Sequence, residues 1–105
     1  MPCDRGMSVT ARLDGELDHF SADSVRDMLD GLIADRRVKY LVLDLRELKF
    51  MDSSGVGVII GRYRSLAARG GGVRVFGANP QVDRLFKLAG LYRIVEKCER
   101  AGDAV

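Results

Sequence analysis

The stretch FMDSSGVGVIIGRY, residues 50–63, contains the change of backbone structure that decides the fold. An apolar, strand-like run ends in an acid, two serines and a glycine. A second apolar run begins at once, and Val56, Ile59, Ile60 and Tyr63 give it the spacing of a helix. Because the first N–H groups of a helix lack intrahelical partners, Asp and Ser are favoured there as caps. The stretch therefore predicts a strand that runs into a helix, with more hydroxyls than one cap requires.

Three glycines, Gly55, Gly57 and Gly61, crowd the first two turns of this helix. A glycine inside a helix costs about 1 kcal/mol relative to alanine, so three together call for a reason. Gly57 and Gly61 are four residues apart and share one face. A face without side chains lets another backbone approach closely, and that backbone is either the sheet beneath or another protein.

The elements before the junction follow from apolar spacing. Residues 7–13 alternate as a strand, and Gly15 is expected to bend it or form a bulge. Ser21 is the expected N-cap of an amphipathic helix. Residues 40–45 form a short, continuous apolar run, which favours a strand covered on both faces. The apolar face of the helix consists of Val25, Met28, Leu29, Leu32 and Ile33.

The elements after the junction complete the same alternation. Residues 69–72, RGGG, are expected to end the helix, and residues 73–77 form a third strand. Asn79 and Pro80 predict the start of a third helix, which Gly90 ends. Residues 92–95, YRIV, are expected to be a last short strand. Together these elements predict one α/β domain over residues 1–105, with a small, mostly parallel sheet and helices packed on it. The third helix has its apolar stripe at Val82, Leu85, Phe86 and Ala89.

The composition excludes several functional classes. Seventeen basic and 15 acidic residues give a net charge of +2, and the only short basic segment, residues 35–39, is typical of a solvated turn, so no nucleic-acid partner is expected. No apolar run reaches the roughly 18 residues of a membrane span, and the N-terminus lacks the apolar segment of a signal peptide. Cys3 and Cys98 have the character of ordinary thiols in a reducing compartment. We expect a soluble cytoplasmic protein that binds no membrane.

Three enzymatic interpretations find little support. A serine hydrolase using Ser53, His19 and Asp18 would lack the GxSxG elbow. The glycines after Ser54 are spaced GxGxxxG rather than GxGxxG, and no acidic residue follows at the distance that dinucleotide binding requires. A single histidine without paired cysteines argues against a metal site. We therefore expect no catalytic residue, no metal and no cofactor.

A phosphate on a junction serine would suit the chemistry of a helix start. Free N–H groups and the helix dipole tolerate added negative charge at that position. Phosphorylation adds about −1.5 to −2 charges, which nearly cancels the net +2 of the chain. The local effect is larger because Asp52 is adjacent, so a partner fitted to this surface would meet like charge or an unpaired, desolvated phosphate.

The segment DSSG-x-G, together with the upstream GELD at residues 15–18, resembles the phosphorylation site of anti-sigma factor antagonists. These proteins, also called anti-anti-sigma factors, are members of the STAS-domain family, and the resemblance is to the sporulation type. It extends to residues 15–29, 42–50 and 79–95, in the order of the family. The combination of the two motifs is much more specific than either motif alone.

The resemblance implies partner switching. The unphosphorylated antagonist binds an anti-sigma factor that is also a serine kinase, and sigma factor is released. The kinase then phosphorylates the antagonist, which dissociates, and a PP2C-type phosphatase restores it. The phosphoacceptor falls on Ser53, and Ser54 is expected to help start the helix. The residues expected to contact the partner are Glu16, Asp18, Asp52, Ser54, Gly55 and Gly57.

The two ends of the chain depart from the family pattern. Only MPCDRG precedes the strand at residues 7–13, so the additional first strand of the sporulation type is expected to be short or missing. The final helix is likewise expected to be short. The alternative functions are a STAS scaffold of the stress-signalling or transporter-tail kind and a nucleotide-binding module without sigma-factor regulation.

Overall fold

A four-stranded sheet forms the centre of the structure, a computed structural model that describes residues 7–99. The strands lie in the order β1-β2-β3-β4, and each neighbouring pair is parallel. The predicted α/β fold is therefore confirmed. The elements in chain order are β1 (Met7–Leu17), α1 (Ala22–Leu32), β2 (Val38–Met51), α2 (Ser53–Ala67), β3 (Gly72–Phe76), α3 (Pro80–Leu88), a single 3₁₀ turn (Leu91–Arg93) and β4 (Glu96–Cys98).

Strands β1 and β2 are both longer than predicted. They pair with each other from Met7 opposite Val38 to Leu17 opposite Met51. Of residues 46–49 only Leu48 is buried, and the exposed polar side chains around it concealed the continuation of the strand. The bulge expected at Gly15 is confirmed, because this residue has a φ of 71° and the register shifts beside it.

The centre of β2 is covered on both faces, as predicted. Leu41, Leu43 and Leu45 are buried in the main core. Val42, between them, is buried in a smaller cluster with Phe76 and with the thiol of Cys98. Since successive side chains of a strand point to opposite faces, the two clusters lie on opposite sides of the sheet. The main core also receives residues of α1, α2 and α3.

Helix α1 buries a narrower face than its spacing suggests. Leu29 and Ile33 are buried and Val25 is half-buried, as expected. Met28 and Leu32 belong to the same apolar face but are 42% and 37% exposed. Helical spacing gives the centre of an apolar face, whereas the neighbouring elements determine how wide a strip they cover.

The end of α2 is the turn that its glycines predict. Gly70 has a φ of 81°, and the Gly71 N–H donates to the Leu66 carbonyl at 2.9 Å. A β-carbon on Gly71 would collide with the Lys39 carbonyl, so this position needs glycine. The run RGGG therefore ends a helix and lets β3 approach β2.

The last strand was predicted at the wrong residues. Residues 92–95 do not pair with the sheet, whereas Glu96–Cys98 pairs with β3. Leu91 and Val95 are both buried, and the Val95 N–H donates to the Leu91 carbonyl at 3.0 Å. Because these two apolar residues are four apart, a helical turn buries both on one side, and an extended strand would not.

The expected short or missing first strand and the short final helix lie outside residues 7–99, as does Cys3. Within the described part of the chain, no helix is long and apolar enough to cross a membrane.

Candidate functional site

Asp52 caps the helix that follows β2. Its backbone is extended, with φ −118° and ψ −171°, and its Oδ1 accepts a hydrogen bond from the Ser54 N–H at 2.8 Å. Its carbonyl accepts hydrogen bonds from the N–H groups of Gly55 and Val56. Asp52 is therefore the cap residue of α2, and Ser54 takes part in the start of the helix through its N–H.

The two serines at the junction differ in exposure. Ser53 is the first residue of α2 and is exposed, and its hydroxyl makes no hydrogen bond within residues 7–99. Ser54 is half-buried, and its N–H is held by Asp52. Of the two hydroxyls, that of Ser53 is the more accessible to a macromolecule.

The carboxylate of Asp52 already bonds one of the N–H groups that a phosphate was expected to meet. It already accepts the Ser54 N–H at the positive end of the helix dipole. A phosphate on Ser53 would therefore lie beside a carboxylate, and its charge would add to an existing negative group. The sequence predicted free N–H groups for a phosphate at this helix start, but the N–H of Ser54 is not free.

The three glycines of α2 serve different purposes. A β-carbon on Gly55 would lie 2.6 Å from Met51 Cγ and 2.8 Å from Leu17 Cγ. Gly55 is buried and lets the helix start pack against the ends of β1 and β2. β-Carbons on Gly57 and Gly61 would have no neighbour within 4 Å, so these two glycines face open space and not the sheet.

The turn after β1 lies beside the junction. Glu16 pairs in register with Phe50, and the Asp52 N–H donates to the Leu17 carbonyl at 3.2 Å. The His19 N–H donates to Asp52 Oδ2 at 3.3 Å. The structure therefore brings the turn at residues 16–19 to the same edge as Ser53.

The two acids of this turn have different surroundings. Asp18 Oδ1 accepts hydrogen bonds from the N–H groups of Ser21 and Phe20. The Ser21 N–H contributes most to holding the pKa of Asp18 below its usual value. Glu16 is exposed, and its carboxylate makes no hydrogen bond or ion pair in the described part of the chain. Asp18 is thus a charged group fixed in a turn, and Glu16 is free to move.

Ser21 is the N-cap residue of α1, as predicted, but its hydroxyl makes no capping hydrogen bond. It donates to the Glu16 carbonyl at 2.8 Å and accepts from the Asp18 N–H at 3.0 Å. The Asp18 carbonyl accepts the N–H groups of Ser21 and Ala22. The hydroxyl therefore closes the turn itself and fixes the backbone that carries both acids.

A surface cleft of about 360 Å³ lies between α1 and α2, beside the serines. Gly57 and Ser54 line one side, and His19 and Arg26 line the other. Arg62 also lines it, with Nε 3.0 Å from Asp30 Oδ1. This cleft was not predicted, because its two walls are about 30 residues apart in sequence.

Amide side chains at the start of α3 also reach the junction. Gln81 Oε1 accepts the Met51 N–H at 3.2 Å, and Gln81 Nε2 donates to the Met51 carbonyl at 3.0 Å. No local sequence pattern predicts this contact, since it depends on where α3 begins relative to the end of β2.

The geometry does not assemble the alternative enzyme sites. The Asp18 carboxylate is directed at backbone N–H groups, and the ring of His19 packs edge-on against that of Phe20 at 5.4 Å. No hydrogen bond links Ser53, His19 and Asp18 as a triad within residues 7–99. No group of three metal-ligating side chains occurs there either.

The STAS domain is the class that this fold and junction define. A family model for that domain matches residues 2–104, so the chain belongs to the STAS-domain family. The strand order, the parallel pairing and the three helices are those of this fold.

Within this family, the chain is similar to curated anti-sigma factor antagonists. An anti-sigma F factor antagonist from Paenibacillus polymyxa is 46% identical over 91 residues, which are 87% of this chain and 77% of the relative. An anti-sigma-B factor antagonist from Bacillus subtilis is 30% identical over 91 residues, 84% of this chain and 79% of the relative. These names describe regulatory proteins rather than enzymes.

Solved structures similar to this chain lead to the same group of proteins. The anti-sigma factor antagonist SpoIIAA in its unphosphorylated form has a TM-score of 0.78 and 33% identity, and the match covers 93% of this chain and 84% of that one. The Bacillus cell fate determinant SpoIIAA in the phosphorylated form has a TM-score of 0.69 and 32% identity, covering 90% and 86%. The same fold is thus known with and without a phosphate.

Proposed function

We propose that this protein is an anti-sigma factor antagonist that is switched off by phosphorylation of Ser53. In its unphosphorylated form it binds an anti-sigma factor that is also a serine kinase, and sigma factor is released. The kinase phosphorylates Ser53, the complex dissociates, and a PP2C-type phosphatase restores the binding form. The protein acts by binding in the cytoplasm and catalyses no reaction.

The exposed hydroxyl of Ser53 is the observation that carries this proposal. Ser53 stands at the first position of α2, directly after the Asp52 cap. Its side chain has no structural task within residues 7–99, so a kinase can modify it without breaking a contact that the fold requires. Ser54 is half-buried and is therefore the poorer acceptor.

Electrostatics supports the direction of the switch. Asp52, Asp18 and the exposed Glu16 already make this edge acidic, so the unphosphorylated surface suits basic groups on the kinase. A phosphate adds about −1.5 to −2 charges beside Asp52, whose carboxylate already occupies the start of the helix. A partner surface that fits the unmodified Ser53 hydroxyl offers this phosphate no paired group, so the complex would bury an unpaired phosphate and is weakened.

The remaining predicted contacts divide into two groups. Gly57 is exposed on the same helix face as Gly61, so a partner can approach the backbone of α2 closely there. Gly55 is buried, and its part is to pack the first turn against Leu17 and Met51. Ser54 contributes through its N–H to the cap, and its side chain lines the cleft.

Phosphorylation with the cognate anti-sigma factor kinase and ATP tests the proposal. Intact-mass measurement should show one added phosphate on the wild type and on Ser54→Ala, and none on Ser53→Ala. The phosphorylated wild type should then lose its complex with the kinase, whereas unmodified Ser53→Ala should keep it. Phosphate on Ser54, or on no residue of the wild type, would contradict the proposal.

A further inference from the structure

Strand β2 extends well beyond its neighbour β3. The pairing of β2 with β3 ends at Asp44 opposite Phe76, whereas pairing with β1 continues to Met51. In a parallel ladder, the N–H and C=O of one residue point to the same side. The Asp52 N–H faces β1 and donates to the Leu17 carbonyl. The N–H and C=O of Met51 therefore face the opposite side of β2, where β3 no longer pairs with it.

The side chain of Gln81 takes the place of the missing strand. Its amide accepts the Met51 N–H at 3.2 Å and donates to the Met51 carbonyl at 3.0 Å. A primary amide offers one acceptor and two donors, so it satisfies both groups as a neighbouring strand would. Met51 is thereby held one residue before the helix cap and two residues before Ser53.

Asn79 fixes the position of the helix start that carries Gln81. Its Oδ1 accepts the Val82 N–H at 2.9 Å and so caps α3, while its Nδ2 donates to the carbonyls of Leu48 and Lys49 at 3.2 and 3.1 Å. Gln81, two residues later, therefore starts from a helix end that is itself tied to β2. The two amides close the open edge of β2 along residues 48–51.

We infer that Gln81 is a positioning residue for the phosphoacceptor. It fixes the peptide groups of Met51 and thereby the backbone from which Asp52 caps α2 and Ser53 projects. The consequence for phosphorylation rests on the proposed function, whereas the positioning of the backbone does not. Gln81 is exposed, so replacing it leaves the buried core of α3 in place.

Two variants and one control test this assignment. Gln81→Leu removes both hydrogen bonds, and Arg84→Leu makes a similar change one turn later, where the exposed side chain has no hydrogen bond or ion pair in the described part of the chain. We expect the Met51 amide to exchange its hydrogen about five- to tenfold faster in Gln81→Leu and at the wild-type rate in Arg84→Leu. The Leu43 amide, in the centre of β2, should be unchanged in both variants.

Gln81→Glu provides a pH profile that only this contact would produce. A protonated carboxyl group can donate to the Met51 carbonyl and accept its N–H, whereas a carboxylate cannot donate and is repelled from the Met51 peptide by the carbonyl oxygen beside it. The Met51 exchange rate, divided by the wild-type rate at the same pH, should be raised at pH 7. It should approach one as the pH falls below about 4.3, the usual pKa of glutamate.

Steady-state phosphorylation by the cognate anti-sigma factor kinase connects the contact to the acceptor. Gln81→Leu should lower kcat about tenfold and leave KM within about twofold, because the acceptor is misplaced but the docking surface is intact. Unchanged exchange at Met51, or faster exchange with an unchanged kcat, would overturn the assignment. If the wild type itself takes no phosphate, the proposed function fails, and the exchange data still decide whether Gln81 positions the backbone.

Discussion

Helices α2 and α3 begin in the same way but use their first turns for opposite purposes. Each follows an extended cap residue, Asp52 or Asn79, whose side chain accepts an N–H of the first turn. In α3 the amides of Asn79 and Gln81 are turned inward onto the backbone of β2. In α2 the hydroxyl of Ser53 is turned outward.

The difference shows how one local solution can serve either structure or recognition. Capping satisfies the free N–H groups in both helices, so it does not distinguish them. The other side chains at the two helix starts do distinguish them. Those at the start of α3 close an open strand edge, whereas the start of α2 presents the accessible hydroxyl of Ser53. Replacement of the α3 cap should therefore act mainly on stability, and replacement on the outer side of α2 mainly on binding.

The largest effect is expected on the inner side of the α2 start. Gly55→Ala would place a β-carbon against Met51 and Leu17, and overpacking of this kind lowers the free energy of unfolding by about 1–3 kcal/mol. Urea unfolding followed by circular dichroism measures the loss. A variant as stable as the wild type would show that the inner side of α2 is not tightly packed.

The next largest loss of free energy of unfolding is expected for replacement of the α3 cap, and it should exceed the loss for replacement of the α2 cap. Asn79→Ala loses the cap and both bonds to β2, about 2 kcal/mol in total, whereas Asp52→Ala loses the cap and one long, exposed bond from the His19 N–H, about 1 kcal/mol. The same urea titration compares the two variants, with Ser53→Ala as a control expected within about 0.5 kcal/mol of the wild type. Equal losses for the two caps would remove the distinction between the helices.

Acid should weaken α3 through Asp83, which lies in its first turn. The Tyr92 hydroxyl, at 2.6 Å, contributes most to holding the pKa of Asp83 far below its usual value, followed by Lys87 and Lys97. A depressed native pKa gives stability that is fully present above about pH 4 and is lost as the pH falls through the native pKa.

Asp83→Asn should therefore be about 1–2 kcal/mol less stable than the wild type at pH 7, with a difference that shrinks below pH 4. Urea midpoints between pH 7 and pH 2 measure this. The control is Asp23→Asn, which changes an exposed acid in the first turn of α1 and should follow the wild type at every pH. A difference that stays constant down to pH 2 would contradict the role of the Asp83 charge.

The smallest change in stability, and of opposite sign, is expected on the outer side of α2. Gly57→Ala has open space for its methyl group and gains helix propensity, so it should raise the free energy of unfolding by up to about 1 kcal/mol. If this side contacts the kinase, the same variant should bind the kinase more weakly by calorimetry. If Gly57→Ala is more stable but binds the kinase as tightly as the wild type, the kinase does not contact this side of α2.

Local signals made the junction predictable. The cap chemistry of residues 52–54 and 79–80, the bulge at Gly15 and the stop at Gly70 each depend on a few neighbouring residues, so the sequence alone indicates them. The resemblance to a known family then selected Ser53 from two adjacent hydroxyls. The parallel sheet followed from the alternation of strands and helices.

The remainder depended on contacts between distant segments. The apolar residues 92–95 fit a strand or a turn equally well, and only the burial of Leu91 with Val95 selects the turn. Gln81 is an ordinary exposed residue until the end of β2 is placed beside it. The width of the buried face of α1 likewise depends on which neighbours cover Met28 and Leu32.

The order of the strands in the sheet is also their order in the chain. During synthesis each new strand can therefore join the edge left by the one before it. Ser53, Asp52 and the turn at residues 16–19 are complete once α2 has emerged, but the amides of Asn79 and Gln81 are made later. A nascent or truncated chain that ends before α3 would thus present the proposed phosphoacceptor before this support exists, so the support of Ser53 requires that α3 has been made and has packed against β2.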